Sequence, residues 1–248
     1  MQALSQKIMV GTSGFYYEHW RGVLYPDDLP KSRFFAYYMR HFPTVELNNT
    51  FYHLPKAKTV THWMEESPED FLFALKAHRE ITHYRRLRDA DDALYRFLHL
   101  IKPMRPRLAA ILLQLPPSLH ADPDLLAGFL PRLPSGYHYT IEFRDPGWYD
   151  EQIYTILKSY NVALCLHDFA RRTITPVITA DFGYLRLHGP DGRYGGSYSD
   201  ARLKEIADIL LQMAHHLKHI FVYFNNDTDG YAVQNARTLT TLLQQTSS

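Results

Sequence analysis

The sequence YTIEFRD, residues 139–145, runs from apolar and β-branched side chains into the charged side chains of Glu142 and Arg144. Six further apolar runs carry polar residues at or next to their ends in the same way: VELNN (45–49), FLFALKAH (71–78), AAILLQL (109–115), VALCLHD (162–168), YLRLHG (184–189) and FVYFNND (221–227). Strands that are apolar early and polar late collect their polar groups on one rim of a sheet. In a parallel sheet that rim binds ligands. The sequence therefore predicts a polar site at the carboxyl ends of parallel strands.

Short apolar segments, rich in β-branched and aromatic residues, are predicted to be strands buried on both faces. They are residues 8–12, 44–49, 71–76, 108–114, 138–143, 162–167, 182–188 and 219–224. Amphipathic helical patterns fall between most of them. Asp122 before Pro123, and Ser199 or Asp200 before Leu203, predict helix N-termini. Strand alternating with helix eight times predicts a single (β/α)8 TIM-type barrel domain over residues 1–248.

The unit after the sixth predicted strand is irregular. Its connection, ARRTITPVITAD (170–181), is too short and too rich in Thr and Pro for a full helix. We therefore expect a barrel with an irregular sixth βα unit. An open doubly wound sheet is the alternative fold, and it is disfavoured because eight similar units show no break in composition.

Composition places the chain among ordinary globular proteins. Of its 248 residues, 46% are hydrophobic and 21% charged, and the net charge of +1 carries no global signal for nucleic acid or membrane. The single cysteine, Cys165, excludes a disulfide within the chain and a cysteine-based zinc site. The start of the sequence shows no signal peptide, and no apolar run reaches membrane-spanning length. We expect a cytoplasmic protein without membrane contact.

Side-chain alternation predicts which charged residues share the barrel interior. Glu46 lies two residues before Asn48, Glu142 two before Arg144 and Arg186 two before His188, so each pair shares a face; Lys76 is expected inside as well. Two carboxylates with Lys and His suit general acid–base chemistry, with one Glu kept protonated by burial and the other ionised by a cation. The alternative is that these charges neutralise each other as a structural network.

A metal site is a further alternative. Carboxylate and imidazole ligands for zinc or manganese are available at Glu46, Glu142, His167, Asp168 and His188. The chain has no tightly spaced metal motif, and hydrogen bonding of the two histidines to polar neighbours is the favoured interpretation. The sequence shows no required cofactor, and the metal content is left open, with a divalent metal as the possibility to test.

The predicted loops at this rim are basic and aromatic. Loop 1, GTSGFYYEHWRG (11–22), offers Tyr16 and Trp20, and the loop after strand 3 carries several arginines. Loop 7, HGPDGRYGGSYSD (188–200), has the glycine content of a mobile lid, and Asn225 and Asn226 follow the last strand. A basic aromatic mouth suits an anionic ligand with ring-shaped parts: a sugar phosphate, a nucleotide or a nucleic-acid backbone. A solvated charge run is the alternative for the arginines.

These segments together resemble one family. GTSGFYYEHWRGVLYP, VELNNTFYHLP, FALKAHREITH, LLQLPP, YTIEFRDPGWY, YLRLHGPDGRYGGSYSD and VYFNNDTDGYAVQNA closely resemble the domain-of-unknown-function 72 (YecE-like) family, in the same order, from about Gly11 to Leu243. The resemblance implies a TIM-type barrel. It implies no reaction and supplies no catalytic residues.

Three functions follow as hypotheses. The first is a hydrolase or isomerase using acid–base or metal-assisted chemistry on a polar anionic sugar-containing substrate at the C-terminal mouth. Its expected catalytic residues are Glu46, Glu142, Lys76 and His188, and its expected substrate-binding residues are Asn48, Gln114, Arg144, Arg186, Tyr16, Trp20, Asn225 and Asn226. The second is a nucleic-acid phosphodiesterase or repair-type endonuclease, with Arg85, Arg86, Arg88, Arg171 and Arg172 on the backbone. The third is a non-catalytic nucleotide- or sugar-binding protein. The oligomeric state is left open.

Overall fold

The computed structural model describes residues 4–192 and 194–245. Eight parallel strands close into a barrel in which each strand pairs with its neighbours in sequence and the first pairs with the last. The strands are β1 Ile8–Ser13, β2 Thr44–Leu47, β3 Leu72–Lys76, β4 Leu108–Gln114, β5 Tyr139–Glu142, β6 Ala163–His167, β7 Phe182–Leu187 and β8 His219–Phe224. The predicted barrel is confirmed, and the predicted strand bounds agree with these within two residues.

Helices cover the outside of the barrel. They are α1 Phe34–Tyr38, α2 Asn49–Tyr52, α3 Ala57–Glu66, α4 Asp91–Ile101, α5 Pro123–Phe129, α6 Glu151–Ser159, α7 Asp200–Ala214 and α8 Tyr231–Gln245. Asp122 caps α5 by accepting a hydrogen bond from Leu125, and Ser199 caps α7 by accepting one from Arg202. Both predicted N-caps are therefore present, with Ser199 rather than Asp200 as the cap of α7. Within the described ranges no helix is both long and apolar enough to cross a membrane.

The sixth βα unit is irregular, as predicted. After β6 the chain makes one 3-10 turn, Phe169–Arg171, in which Ala170 and Arg171 both have positive φ, and it reaches β7 without a helix. Part of the connection packs against β6 without regular secondary structure: the hydroxyl of Thr179 accepts from the Leu164 N–H at 2.7 Å and donates to the Val162 carbonyl at 2.7 Å. An irregular Thr- and Pro-rich segment thus occupies the place of a helix.

The barrel interior is divided into two layers. Its lower part is filled by small and aromatic side chains that include Ala74, Ala110, Cys165 and Tyr223. Above them, at the carboxyl ends of the strands, the buried side chains are charged or polar. The outward positions Val45, Leu47, Ile141 and Phe143 belong instead to the apolar layer under the helices. The side chains of β2 and β5 therefore alternate between the barrel interior and the layer under the helices, as predicted.

Candidate active site

Four charged side chains form one ion network across the barrel mouth. The Arg186 guanidinium donates to Glu46 Oε1 through Nη2 at 2.8 Å and to Glu142 Oε2 through Nη1 at 2.6 Å. Arg144 donates through Nε to the other oxygen of Glu142. Glu46 and Glu142 are fully buried, and Arg186 is 2% exposed. One guanidinium therefore lies between the carboxylates of β2 and β5.

Glu46 has further donors that hold its carboxylate in place. Ser13 donates to Oε1 at 2.7 Å, Tyr184 to Oε2 at 2.7 Å, and the side-chain amide of Asn48 to Oε1 at 3.2 Å. Ser13 is the residue of β1 that pairs in register with Glu46 of β2, so strand pairing itself brings the two together. A buried carboxylate with this many donors is stable without a ligand.

Glu142 is held in its ionised form. Burial alone would raise the pKa of this carboxyl, but Arg186 and Arg144 outweigh that effect and hold the pKa well below its ordinary value of 4.5. The sequence left open which Glu is kept protonated by burial. This geometry does not suit Glu142 to be that acid, because losing its charge would leave Arg144 without its carboxylate partner and Arg186 with Glu46 alone.

His188 is a buried polar residue at the mouth with unused hydrogen-bonding capacity. Its ring is fully buried, and its Nδ1 lies 3.3 Å from the side-chain amide nitrogen of Asn225. With that amide donating to Nδ1, the ring proton is assigned to Nε2. Nε2 lies 3.9 Å from Glu142 Oε1, and no group in residues 4–192 or 194–245 hydrogen-bonds to it. Burial, and then the charge of Arg186, hold the pKa of His188 well below 6.5, so the imidazole is neutral.

Lys76 lies beside this network at the end of β3. Its ammonium donates to Gln114 Oε1 at 2.7 Å and lies 4.1 Å from the centre of the Phe51 ring. Gln114 is held in turn by donating to the Leu115 carbonyl at 2.9 Å. Burial, and then the charge of Arg186, lower the pKa of Lys76 from 10.5 to about 8. The amine is thus poised to gain or lose a proton near neutral pH.

Aromatic side chains close the mouth over these groups. The Arg144 guanidinium lies 3.8 Å from the centre of the Phe169 ring. The rings of Phe169 and Tyr194 lie 5.5 and 5.2 Å from the ring of His188. Tyr194 belongs to loop 7, whose Tyr198 donates its hydroxyl to the buried carboxylate of Asp168. The interior groups are therefore covered by the 3-10 turn after β6 and by loop 7.

Several predicted residues lie elsewhere than expected. Trp20 is fully buried and donates its indole N–H to Asp227 at 2.6 Å, so the expectation of an aromatic surface there is wrong. Tyr16 is 59% exposed, as a rim residue would be. Asn226 is buried and donates to the Gly196 carbonyl and to Asn235, so it anchors loop 7 from below.

The proposed metal ligands do not form a cluster. Among the described residues, no three His, Cys, Asp or Glu side chains come close enough together to hold an ion. His167 is bound by protein groups: Nε2 lies 2.9 Å from the Phe143 carbonyl and Nδ1 accepts from Phe169 N–H at 3.2 Å. Asp168 accepts from the His188 backbone N–H at 2.7 Å. Both positions thus serve the arrangement of the loops.

The arginines after β3 are largely engaged with nearby polar groups. Arg88 pairs with Asp122 at 3.0 Å, Arg85 lies 3.9 Å from Glu80, and Arg86 donates to Ser118 at 3.3 Å. After β6, Arg171 is exposed and Arg172 stacks on Tyr149 with its guanidinium carbon 3.1 Å from the ring centre. The rim is basic, but part of its charge is already neutralised.

The sequence analysis missed three residues of the site. Tyr184 lies two positions before Arg186 on the same face of β7, so the alternation rule would have found it. Ser13 would have followed from extending β1 by one residue to its register partner Glu46. Phe169, which covers Arg144, lies in the irregular turn and had no sequence signal.

The model of one protein family, described as "Protein of unknown function DUF72", matches residues 9–248. The chain belongs to this family. Among curated relatives, the UPF0759 protein YecE of Escherichia coli K12 is 38% identical over 113 residues, 45% of this chain and 42% of YecE. The match thus spans about two fifths of that relative. The UPF0759 protein YunF of Bacillus subtilis is 25% identical over 253 residues, covering 89% of this chain and 90% of YunF.

Solved structures agree with the barrel. A DUF72 family protein of Thermotoga maritima superimposes with a TM-score of 0.86 at 29% identity, covering 96% of this chain and 99% of that one. A DUF72 family protein of Enterococcus faecalis gives 0.83 at 21% identity, with 96% and 95% covered. PbGH5A, a glycoside hydrolase family 5 enzyme of Prevotella bryantii, gives 0.50 at 9% identity, with 100% and 99% covered. The last two likenesses show the fold alone.

Proposed function

We propose that this DUF72 protein is an enzyme that performs acid–base chemistry on a polar, anionic, sugar-like substrate at the C-terminal mouth, as a hydrolase or isomerase. The observation that carries the proposal is the free Nε2 of buried, neutral His188, 3.9 Å from ionised Glu142. A buried nitrogen without a hydrogen bond costs free energy, about 1–3 kcal/mol in general. A substrate oxygen between Nε2 and the carboxylate would satisfy it.

Each group at the mouth has a role in this proposal. His188 keeps its ring proton and donates a hydrogen bond through Nε2–H to a substrate oxygen, which stabilises negative charge that develops on that oxygen. The Lys76 ammonium, whose pKa is about 8, supplies the proton that this oxygen takes up. Lys76 and Arg144 neutralise the anionic group of the substrate. Glu46 holds Arg186 in position, and Gln114 and Asn225 orient Lys76 and His188.

The alternative of a purely structural ion network explains less of the geometry. It accounts for Glu46, Glu142 and Arg186, whose charges are mutually satisfied. It does not account for the free nitrogen of His188, nor for Lys76, whose ammonium donates to one amide oxygen and otherwise faces an aromatic ring. Stability alone would favour apolar side chains at both positions.

The two alternative functions, a nucleic-acid phosphodiesterase or endonuclease and a non-catalytic binding protein, are less well supported, and so is metal-assisted chemistry. A nucleic-acid backbone would need free arginines on the rim, and Arg85, Arg86 and Arg88 have acidic or hydroxyl neighbours. A divalent metal would need ligands brought by the substrate, because the described part of the chain offers no cluster of three. A binding protein without chemistry shares the same mouth and differs only in turnover.

The test begins with a thermal-shift panel of sugar phosphates, followed by NMR detection of turnover for each stabilising compound. We expect His188→Gln to lower turnover about 100-fold while binding persists, because a flexible amide replaces a preorganised ring donor, and loss of one such donor usually costs about 100- to 1,000-fold. The matched control is His167→Gln, a buried but hydrogen-bonded histidine on the neighbouring strand, which should change turnover only a few-fold. Undiminished turnover in His188→Gln would reject the role, and stabilisation without turnover would favour a binding protein.

A further inference from the structure

Beside the mouth lies a second cavity that the proposed chemistry does not use. Its volume is about 490 Å³, within the range of about 300–1,000 Å³ typical of small-molecule sites. It lies between loop 1, the end of β2 and helix α3. Its walls are aromatic, and they include Phe15, Tyr16, Tyr17 and Trp63.

One polar group in this wall lacks a partner. Asn48 lines the cavity and donates its side-chain amide to Glu46 Oε1 at 3.2 Å, which fixes the orientation of the amide, because an ionised carboxylate only accepts. The opposite atom, Asn48 Oδ1, is buried and accepts no hydrogen bond from residues 4–192 or 194–245. A residue of the cavity wall therefore carries a buried acceptor that a ligand donor would satisfy.

The walls also select the shape and charge of that ligand. The cavity is lined by aromatic, small apolar and neutral polar residues, and no Lys, Arg, Asp or Glu is among the described residues that line it. Tyr16 stands 59% exposed at its rim, where it can cover one face of a flat ring. The polar side chains of the wall are all neutral, and one of them, the Tyr17 hydroxyl, is already engaged because it donates to the Ser13 carbonyl at 2.9 Å. A flat heteroaromatic ring carries its N–H groups at its edge and gains from stacking on the aromatic part of the wall.

We propose that this cavity binds a nucleobase, which stacks against Tyr16 and Trp63 and donates an N–H to Asn48 Oδ1. The further statement that the bound molecule is also the substrate rests on the proposed function. Binding of a nucleobase in this cavity does not rest on it. The Asn48–Glu46 hydrogen bond joins a residue of the cavity wall to the ion network, so the base would lie beside the mouth and not inside it.

Fluorescence titration with adenosine, an uncharged probe, tests the proposal on the full chain. Of the three tryptophans, Trp20 and Trp148 are fully buried, so Trp63 is the one that a ligand in this cavity meets. We expect saturable quenching that Trp63→Phe abolishes. Tyr16→Ala and Asn48→Ala should each weaken adenosine binding about tenfold, which corresponds to about 1.4 kcal/mol.

Matched controls separate this cavity from the neighbouring network. Ser13→Ala also removes a donor to Glu46 but does not line the cavity, and Tyr160→Ala removes an exposed tyrosine elsewhere; both should bind adenosine as the wild type does. His188→Gln should bind it normally too, so failure of catalysis and failure of this proposal are distinguishable. Absence of quenching by adenosine, or quenching by methyl glucoside alone, would overturn the nucleobase assignment.

Discussion

At the scale of single residues, burial acts differently on the charged side chains of the mouth. Glu142 keeps its charge because two guanidinium groups contact it, whereas no carboxylate among residues 4–192 and 194–245 hydrogen-bonds to Lys76 and the charge of Arg186 opposes its own. The same desolvation therefore leaves Glu142 ionised and helps to lower the pKa of Lys76 to about 8. Side-chain alternation predicted that both point into the barrel, but their opposite behaviour depends on contacts between distant strands.

Lys76 leads to a prediction about pH. Its pKa in the folded protein, about 8, lies below the ordinary value of 10.5, so the folded state carries the cost of charging this amine below pH 8. That cost is relieved as the pH rises from about 8 to 10.5, because there the unfolded chain binds a proton that the folded chain does not. We expect the free energy of unfolding, measured with urea, to gain less between pH 7.5 and 9.5 in Lys76→Met than in the wild type. Lys204→Met, at an exposed lysine, is the control, and an equal gain in all three proteins would contradict the lowered pKa.

At the scale of elements, loop 7 is the segment whose conformation depends most on glycine. Gly189 has a φ of +97°, and a Cβ atom there would lie 2.1 Å from the carbonyl oxygen of Gly195. The loop is fastened by the hydrogen bond from Gly189 N–H to the Tyr198 hydroxyl and by Asn226. The sequence predicted a glycine-rich lid here. The lid's mobility is still a prediction, and its anchoring to Asp168 was not foreseen.

Gly189→Ala should therefore loosen loop 7. An alanine at positive φ with a backbone clash is expected to destabilise the protein by more than about 1 kcal/mol and to speed amide hydrogen exchange in residues 189–199. The control is Gly128→Ala in α5, where a Cβ would meet nothing within 4 Å and the substitution should be neutral or slightly stabilising. Unchanged exchange in the loop of Gly189→Ala would show that the closed conformation does not depend on this residue.

At the scale of the whole molecule, Arg186 connects parts of the barrel that are far apart in sequence. Its guanidinium on β7 binds Glu46 of β2 and Glu142 of β5, and Tyr184 on the same strand also donates to Glu46. The upper layer of the interior is thus held by ion pairs where the lower layer is held by apolar packing. Replacing all of these charged side chains together by apolar ones should therefore destabilise the barrel less than removing one of them alone.

Arg186→Met should destabilise the barrel strongly. Removing the shared cation leaves Glu46 without an ionic partner and Glu142 with Arg144 alone, and breaking a buried pair costs about 3–5 kcal/mol. Urea unfolding gives the measurement, and Arg202→Met, which removes an exposed pair with Glu205, should cost no more than about 1 kcal/mol. A small effect of Arg186→Met would mean that water or a relaxed loop replaces the lost contacts.

The barrel could be predicted from the amino-acid sequence, because alternation, helix periodicity and capping are local signals that can be read without knowing the contacts. Strand direction and the two-residue period also predicted that Glu46, Glu142, Lys76, Arg186 and His188 lie at one rim. Which of these groups satisfy one another could be learned only from the folded chain. Arg186 and Glu46 are 140 residues apart, and their pairing depends on barrel closure and side-chain packing. The same long-range packing buried Trp20 under Asp227, closed Phe169 over Arg144, and left the Nε2 of His188 free.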